Sequence, residues 1–367
     1  MSRQVNNPDE LLPGALVRVI EPDGTVRQHD DFPFDFDDDM LVDLYRQMLL
    51  TRAVDREAIN LQRQGQLAVY PSCLGQEAAQ IGAARALRND DWVFPSYREL
   101  GFALARGIDP IRMMHVYRGT WLGDHDPHEH AFGHITIPIA TQVLHATGFA
   151  MGTKLDGKDT VTVACCGDGA TSEGDTHEAM TFAGVFEAPV VFFVQNNQYA
   201  ISVPLERQTA APTLAHKAVG YGMPGVRCDG NDVLATYAVM KSVVNRAREG
   251  GGPAMVEAVT YRREAHTTSD DPTRYRSDAE VEEAARHDPV DRLRLVLDQR
   301  DLRDDTLERN IADECTATTS RVRAAIYDAE HDDPMEMFDH VLAGDTSFLD
   351  DQRAQLRAEL AAEAAGS

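Results

Sequence analysis

Two short apolar runs, each stopping at a polar signature, constrain this chain most. Residues 159–166 (DTVTVACC) end at Gly167, Asp168 and Gly169; residues 189–195 (PVVFFVQ) end at Asn196 and Asn197. Runs this short, apolar throughout and bounded by turn residues, predict strands buried on both faces, as a parallel sheet requires. Residues 172–186 between them predict a helix. Helices over 213–221 and 232–250 then alternate with strands over 225–229 and 253–261 (PAMVEAVTY). This alternation predicts an α/β fold, a parallel sheet with helices on both faces.

In such a sheet, ligands collect at the carboxyl ends of the strands. A glycine lets backbone approach a phosphate, and a helix start favours an anion. The Asp between the two glycines would repel a bare phosphate, so a cation must stand between them. The fingerprint GxGxxG of dinucleotide binders is not met. Adjacent strand ends lie about 5 Å apart, so Asp168 and an Asn of the next strand can reach one ion. A carboxylate, an amide oxygen and phosphate oxygens form a hard oxygen set that suits magnesium or calcium. Either signature alone is usually structural; the two behind successive buried strands, with 26 residues between them, point to a metal–phosphate site.

The rest of the chain frames that unit. With 367 residues and 43% hydrophobic content the chain is long enough for two or three domains. We divide it into an acidic arm over 1–38, an α/β domain over 39–277 and a helical C-terminal region over 278–367. In the arm, Phe32, Phe34 and Phe36 interleave with aspartates and are expected to dock on the body as a strap. Helices are predicted over 41–64, 75–87 and 139–155, a short strand over 92–97, and a solvated loop over 119–134 that carries His125, His128, His130 and His134. Further helices are expected over 279–299, 304–331 and 349–364, with a frayed tail.

Net charge is −25, from 60 acidic and 35 basic residues, which disfavours nucleic acid as a partner. The only lysines are Lys154, Lys158, Lys217 and Lys241. So acidic a surface fits a high-salt cytoplasm, where self-repulsion is screened; a GC-rich genome would explain the missing lysine but not the excess aspartate. Five cysteines without a CxxC pair fit a reducing compartment. No membrane-spanning run or secretory leader is read, so a cytoplasmic location is expected.

The GDG and NN signatures, together with GQEA at 75–78, FPSYRE at 94–99, QNNQYAIS at 195–202 and HTTSDDPTRYRS at 266–277, resemble the alpha subunit of the thiamine-diphosphate-dependent decarboxylase of 2-oxo acid dehydrogenase complexes. The likeness runs from about residue 36 to 275. It implies the thiamine-diphosphate-binding fold, with magnesium on Asp168, Asn197 and the carbonyl of Tyr199. It implies diphosphate contacts from Tyr97, Arg98, His266 and the backbone of Gly169 and Ala170, and a catalytic role for His266. Backbone groups of Ile137 and Ile139 would contact the aminopyrimidine, and a potassium ion would sit near Thr136, Pro138, Thr141 and Gln142.

The resemblance also implies partners. The glutamate that activates the aminopyrimidine lies on a beta subunit in such enzymes, and no second α/β run follows Ser277 here, so an α2β2 assembly is expected. The acyl group would pass to a lipoyl-bearing dihydrolipoyl acyltransferase, docked near the 266–277 loop. Arg262, Asp270, Tyr275 and Arg276 align with that loop's polar network, and Thr267, Thr268 and Ser269 are its candidate phosphorylation sites. Pyruvate is the favoured substrate, although Thr120, Trp121 and Leu122 stand where pyruvate-type chains carry an HxH pair. Branched-chain 2-oxo acids and acetoin stay open. A structural subunit without cofactor binding would show damage at Asp168, Asn197 or Arg98, and all three are intact.

Overall fold

The computed structural model describes residues 13–366, apart from 121, 122, 124, 330–332 and 340. The first twelve residues of the expected arm, and Trp121 and Leu122, lie outside the described residues. In chain order the helices are α1 (Asp38–Arg63), α2 (Glu77–Arg85), α3 (Leu100–Ala105), α4 (Pro110–Arg118), α5 (Pro127–His130), α6 (Thr141–Leu155), α7 (Gly174–Phe186), α8 (His216–Val219) and α9 (Val233–Arg246). Then follow α10 (Asp278–Ala285), α11 (Pro289–Gln299), α12 (Asp305–Asp328) and α13 (Asp350–Gly366). The strands are β1 (Trp92–Phe94), β2 (Thr162–Gly167), β3 (Val190–Asn196), β4 (Tyr199–Ala200), β5 (Val203–Pro204), β6 (Gly225–Asp229) and β7 (Ala254–Val259).

Five strands form one parallel sheet in the order β1-β2-β3-β7-β6, and β4 and β5 pair as a small antiparallel hairpin. The apolar runs are continuous because the sheet is buried twice. Val163 and Cys165 of β2, with Val191 and Phe193 of β3, enter a core shared with α1, α2 and α9. Their neighbours Ala164, Cys166, Phe192 and Val194 enter a second core with α6 and α7. Phe193 is fully enclosed, and its truncation to Ala would cost about 3–5 kcal/mol.

The arm docks for a polar as well as an apolar reason. Phe34 is buried against the ring of Tyr237 on α9. Val17 bridges to Cys228 at the outer edge of β6. The buried Asp232 caps α9 through Oδ1, while its Oδ2 accepts the N–H groups of Val19 and Ile20 at 2.8 and 2.6 Å. Burial pushes its carboxyl up to about 6.

Several expected boundaries moved. The helix expected over 279–299 is two helices, because Asp288 caps a new one at Val290 and Pro289 fits its first turn. The helix expected over 213–221 shrinks to the single turn of α8. The helix expected to reach residue 250 leaves α-geometry at Arg246, and Gly250 and Gly252 take positive φ, which only glycine adopts freely. The tail holds α-helix to Gly366. The 119–134 loop contains the turn α5 and buries His125, so it is not simply solvated.

Candidate active site at the strand tips

Each of four neighbouring strands delivers its polar residues at the same edge. Ser96, Tyr97 and Arg98 follow β1, Asp168 follows β2, Asn197 follows β3, and Arg262 and His266 follow β7. Pairing of Gly167 with Gln195, and of Asn196 with Val259, brings these ends level. They line a cavity of about 240 Å³.

Asp168 is 1% exposed and opens a 3-10 turn, Gly169–Ser172. A Cβ on Gly169 would stand 2.7 Å from the Cβ of Ala200, so the turn and the β4 hairpin approach only because residue 169 is glycine. Burial pushes the Asp168 carboxyl above the usual range; the Gln208 amide, the Arg262 charge and the Asn197 N–H pull the other way. Asn197 is buried beside it, with Oδ1 accepting the N–H of Tyr199 at 3.4 Å.

Arg262 is wholly enclosed and holds the hairpin turn. It donates to the carbonyl of Tyr199 at 3.1 Å, to that of Ile201 at 2.7 Å and to the Tyr275 hydroxyl at 3.0 Å. A carbonyl has two lone pairs, so Tyr199 retains one for an ion. Gln198 just before β4, Ile201 in this turn, and Ala140 across the cavity have positive φ of 76°, 55° and 70°. For a β-branched residue such as Ile201 that is a true outlier; strain of this kind gathers at functional sites.

Arg98 is buried and donates to the carbonyls of Ser72 at 2.6 Å and His266 at 2.9 Å. It also meets His266 Nδ1 at 3.2 Å. Arginine only donates, so Nδ1 is the acceptor and the imidazole proton sits on Nε2. Burial, followed by the Arg98 and Arg262 charges, pushes His266 down to about 3. The ring is therefore a neutral donor across the working pH range. Its backbone N–H is held by Asp270, which the Tyr275 hydroxyl also reaches.

Of the residues expected from sequence, the cavity gathers Tyr97, Arg98, Ile139, Asp168, Gly169, Ala170, Asn197, Tyr199 and His266, with Thr136 and Gln142 of the expected potassium position. Ile137 is 69% exposed and outside the lining, as are Pro138 and Thr141. Sequence reasoning gave no role to Gln76, Glu99, Gln195 or Gln208. Glu99 is buried with its carboxyl pushed up by burial, and it accepts from Ser96, the Arg98 N–H and Gln195. Its place beside Arg98 in FPSYRE was the available signal.

Among the described residues no three His, Cys, Asp or Glu side chains converge to hold a metal. An ion at Asp168 would instead rest on one carboxylate plus amide, carbonyl and phosphate oxygens, the donor set of magnesium. The cavity fits such guests in another respect. Gln76 Nε2 and Gln142 Oε1, both on side chains that line it, are buried without hydrogen-bond partners, and orphaned polar atoms of this kind call for a ligand. No helix among the described residues is long and apolar enough to cross a membrane.

The profile of the family described as "Dehydrogenase E1 component" matches residues 45–337. A Mycobacterium tuberculosis protein named 3-methyl-2-oxobutanoate dehydrogenase subunit alpha is 52% identical over 345 residues, 94% of each chain. A Staphylococcus aureus protein named pyruvate dehydrogenase E1 component subunit alpha is 37% identical over 317 residues, 86% of this chain and 85% of that one. A family match over most of the chain and relatives aligned nearly end to end, on a sheet whose four tips converge on one cavity, lead to one conclusion: the chain belongs to the dehydrogenase E1 component family.

Proposed function

We propose that the chain is the alpha subunit of a 2-oxo acid dehydrogenase, which decarboxylates a 2-oxo acid and passes the acyl group to a lipoyl arm. The observation that carries this reading is the convergence of Asp168, Asn197, Arg98, Tyr97 and His266 in one cavity. Asp168, Asn197 and the Tyr199 carbonyl would hold magnesium. Tyr97, Arg98, His266 and the backbone of Gly169 and Ala170 would hold the diphosphate, with Ile137 and Ile139 at the aminopyrimidine. Thiamine diphosphate supplies, when bound, the carbanion stabilisation that the protein lacks.

The chain's own residues bind and orient. The guanidinium of Arg98 is a planar fork suited to phosphate oxygens. His266 keeps a proton at Nε2 for an oxygen acceptor and serves as the catalytic group. Buried walls exclude water and strengthen each of these contacts. A potassium ion near Thr136, Pro138, Thr141 and Gln142 is supported by the unpartnered Gln142 Oε1.

A beta subunit would complete the site in an α2β2 assembly. Supporting this, every regular element after Tyr275 among the described residues is helical, and Ile137, Ile139 and Ile201 stand exposed beside the cavity. A lipoyl-bearing acyltransferase is the second partner. Five unpaired thiols fit a reducing cytoplasm. The sequence favours pyruvate, whereas the relative at 52% identity carries a branched-chain name and the one at 37% a pyruvate name. We therefore assign a short 2-oxo acid, with 3-methyl-2-oxobutanoate ranked beside pyruvate.

The test is co-expression with the neighbouring beta-type reading frame, followed by decarboxylation assays over pyruvate, 3-methyl-2-oxobutanoate and acetoin at high salt. Turnover of a 2-oxo acid that depends on thiamine diphosphate and magnesium is expected. Acetoin cleavage alone, or no turnover and no cofactor binding, would overturn the reading.

A further inference from the structure

The GQEA segment has no part in the function described so far, yet it is fixed beside the cavity. Gly75 has φ +91°, and a Cβ there would lie 2.5 Å from the Tyr261 carbonyl oxygen. Its carbonyl accepts from Thr260 Oγ1 at 2.6 Å. Its N–H is held by Glu77 Oε2 at 2.8 Å, while Glu77 Oε1 pairs with Arg52 at 2.7 Å. Gln76 is thus pinned between the end of β7 and the start of α2. It is 1% exposed and lines the cavity. Its Oε1 accepts Asn197 Nδ2 at 3.3 Å, and its Nε2 has no partner.

Two amides so placed have two concerted arrangements. In the observed one, Asn197 spends its NH2 on Gln76, its Oδ1 accepts the Tyr199 N–H and keeps its second lone pair for a cation, and Gln76 keeps an N–H for an anion. In the reverse one, Asn197 would turn its NH2 toward the cation and Gln76 its oxygen toward the phosphate. Turning one amide alone sets two oxygens, or two NH2 groups, face to face. A divalent ion and a diphosphate therefore select the same arrangement, and each favours the other's binding.

We propose that Gln76 is a positioning and binding residue of the cofactor site: it fixes the Asn197 amide with its oxygen toward the divalent ion and offers Nε2–H to the diphosphate. This rests on the cofactor reading above. That Gln76 Nε2 is a buried donor left unmatched inside the cavity wall is the observation independent of Asn197.

Calorimetry on the chain purified with its partner subunit tests it, using magnesium, thiamine diphosphate and inorganic pyrophosphate as probes. Gln76→Leu is expected to weaken magnesium binding at saturating thiamine diphosphate about tenfold or more. Gln76→Glu keeps the acceptor for Asn197 but loses the donor, so pyrophosphate affinity falls even if Gln76→Leu does not fold. Because Gln76 acts on the ion through Asn197, Gln76→Leu combined with Asn197→Ala should bind magnesium no more weakly than Asn197→Ala alone. Wild-type magnesium affinity in Gln76→Leu, unchanged pyrophosphate affinity in Gln76→Glu, or losses that multiply in the double variant would each overturn the inference. A wild-type assembly that binds no probe would overturn the cofactor reading itself.

Discussion

Four histidines crowd the segment 125–134, and a single one, His266, opens the loop beyond β7. The crowded set reads in sequence as the richer source of ligands, yet its rings serve local packing. His125 Nε2 donates to the Phe132 carbonyl at 2.9 Å and His130 Nδ1 to the Arg106 carbonyl at 3.0 Å. His128 packs T-shaped with Trp92, and His134 lies against His125. His266 instead meets Arg98, which follows β1, and Asp270 of its own loop, and Asp270 connects through Tyr275 and Arg262 to the β4 hairpin. Ligand density along the chain measures composition. Convergence of strand tips is a property of the sheet, and it places unlike groups around one volume.

The largest effect should come from Asp168→Ala. Loss of the buried carboxylate should lower magnesium affinity at least about 100-fold and abolish cofactor-dependent thermal stabilisation. Asp168→Asn separates binding from folding. Burial raises the folded carboxyl above its unfolded value, so ionisation costs stability as pH rises through that range. Without cofactor, Asp168→Asn should therefore melt about 1–2 °C above wild type at pH 7, and gain nothing from magnesium. A variant that melts lower without cofactor would mean that the carboxylate is structural, like the histidines of 125–134.

Next in size is Arg98→Lys. A point charge cannot hold the carbonyls of Ser72 and His266 and also present a flat fork to phosphate. Thiamine diphosphate affinity is expected to fall about tenfold, measured by calorimetry on the two-subunit assembly. Unchanged affinity would show that Arg98 only pins the loop.

The contrast also shows what the sequence could reveal. The GDG and NN signatures were legible because each abuts an apolar run, so local pattern placed both at strand ends. Strand β6 at the edge and β7 beside β3 were not legible, since strand order depends on crossovers between distant segments. The contact between Gln76 and Asn197 spans 121 residues and leaves no local trace. Helices α3 and α4 went unread although Asp109 caps α4 and Pro110 fits its first turn, a signal that was present. Asp288 ends the expected long helix because it serves elsewhere too, pairing with Arg52 and Arg263.

His266 should reveal itself in acid. Its pKa falls from 6.5 to about 3 on folding, so the unfolded chain takes up this proton first as pH drops. The stability linked to the neutral ring is complete above pH 6.5 and drains away toward pH 3. His266→Asn keeps a donor but does not titrate, so its melting temperature should fall less steeply over that window, by about 2 °C at pH 4 relative to wild type. Parallel acid limbs would remove the evidence for a neutral ring.

The smallest effect is expected where histidines are densest. His128 is exposed and its ring packs T-shaped against Trp92, with ring centroids 5.3 Å apart. An edge-on aromatic pair contributes about 0.5–1.5 kcal/mol when enclosed and less at the surface. His128→Ala should therefore lower stability by about 0.5 kcal/mol and leave cofactor affinity within about twofold. Titration with zinc should show no stoichiometric site lost in this variant, because the rings of His125 and His130 already hold backbone carbonyls and would have to surrender them to ligate an ion. Tight zinc binding that vanishes with His128→Ala would make this segment a metal site after all, and the distinction between crowding and convergence would fail at the place where it is drawn most sharply.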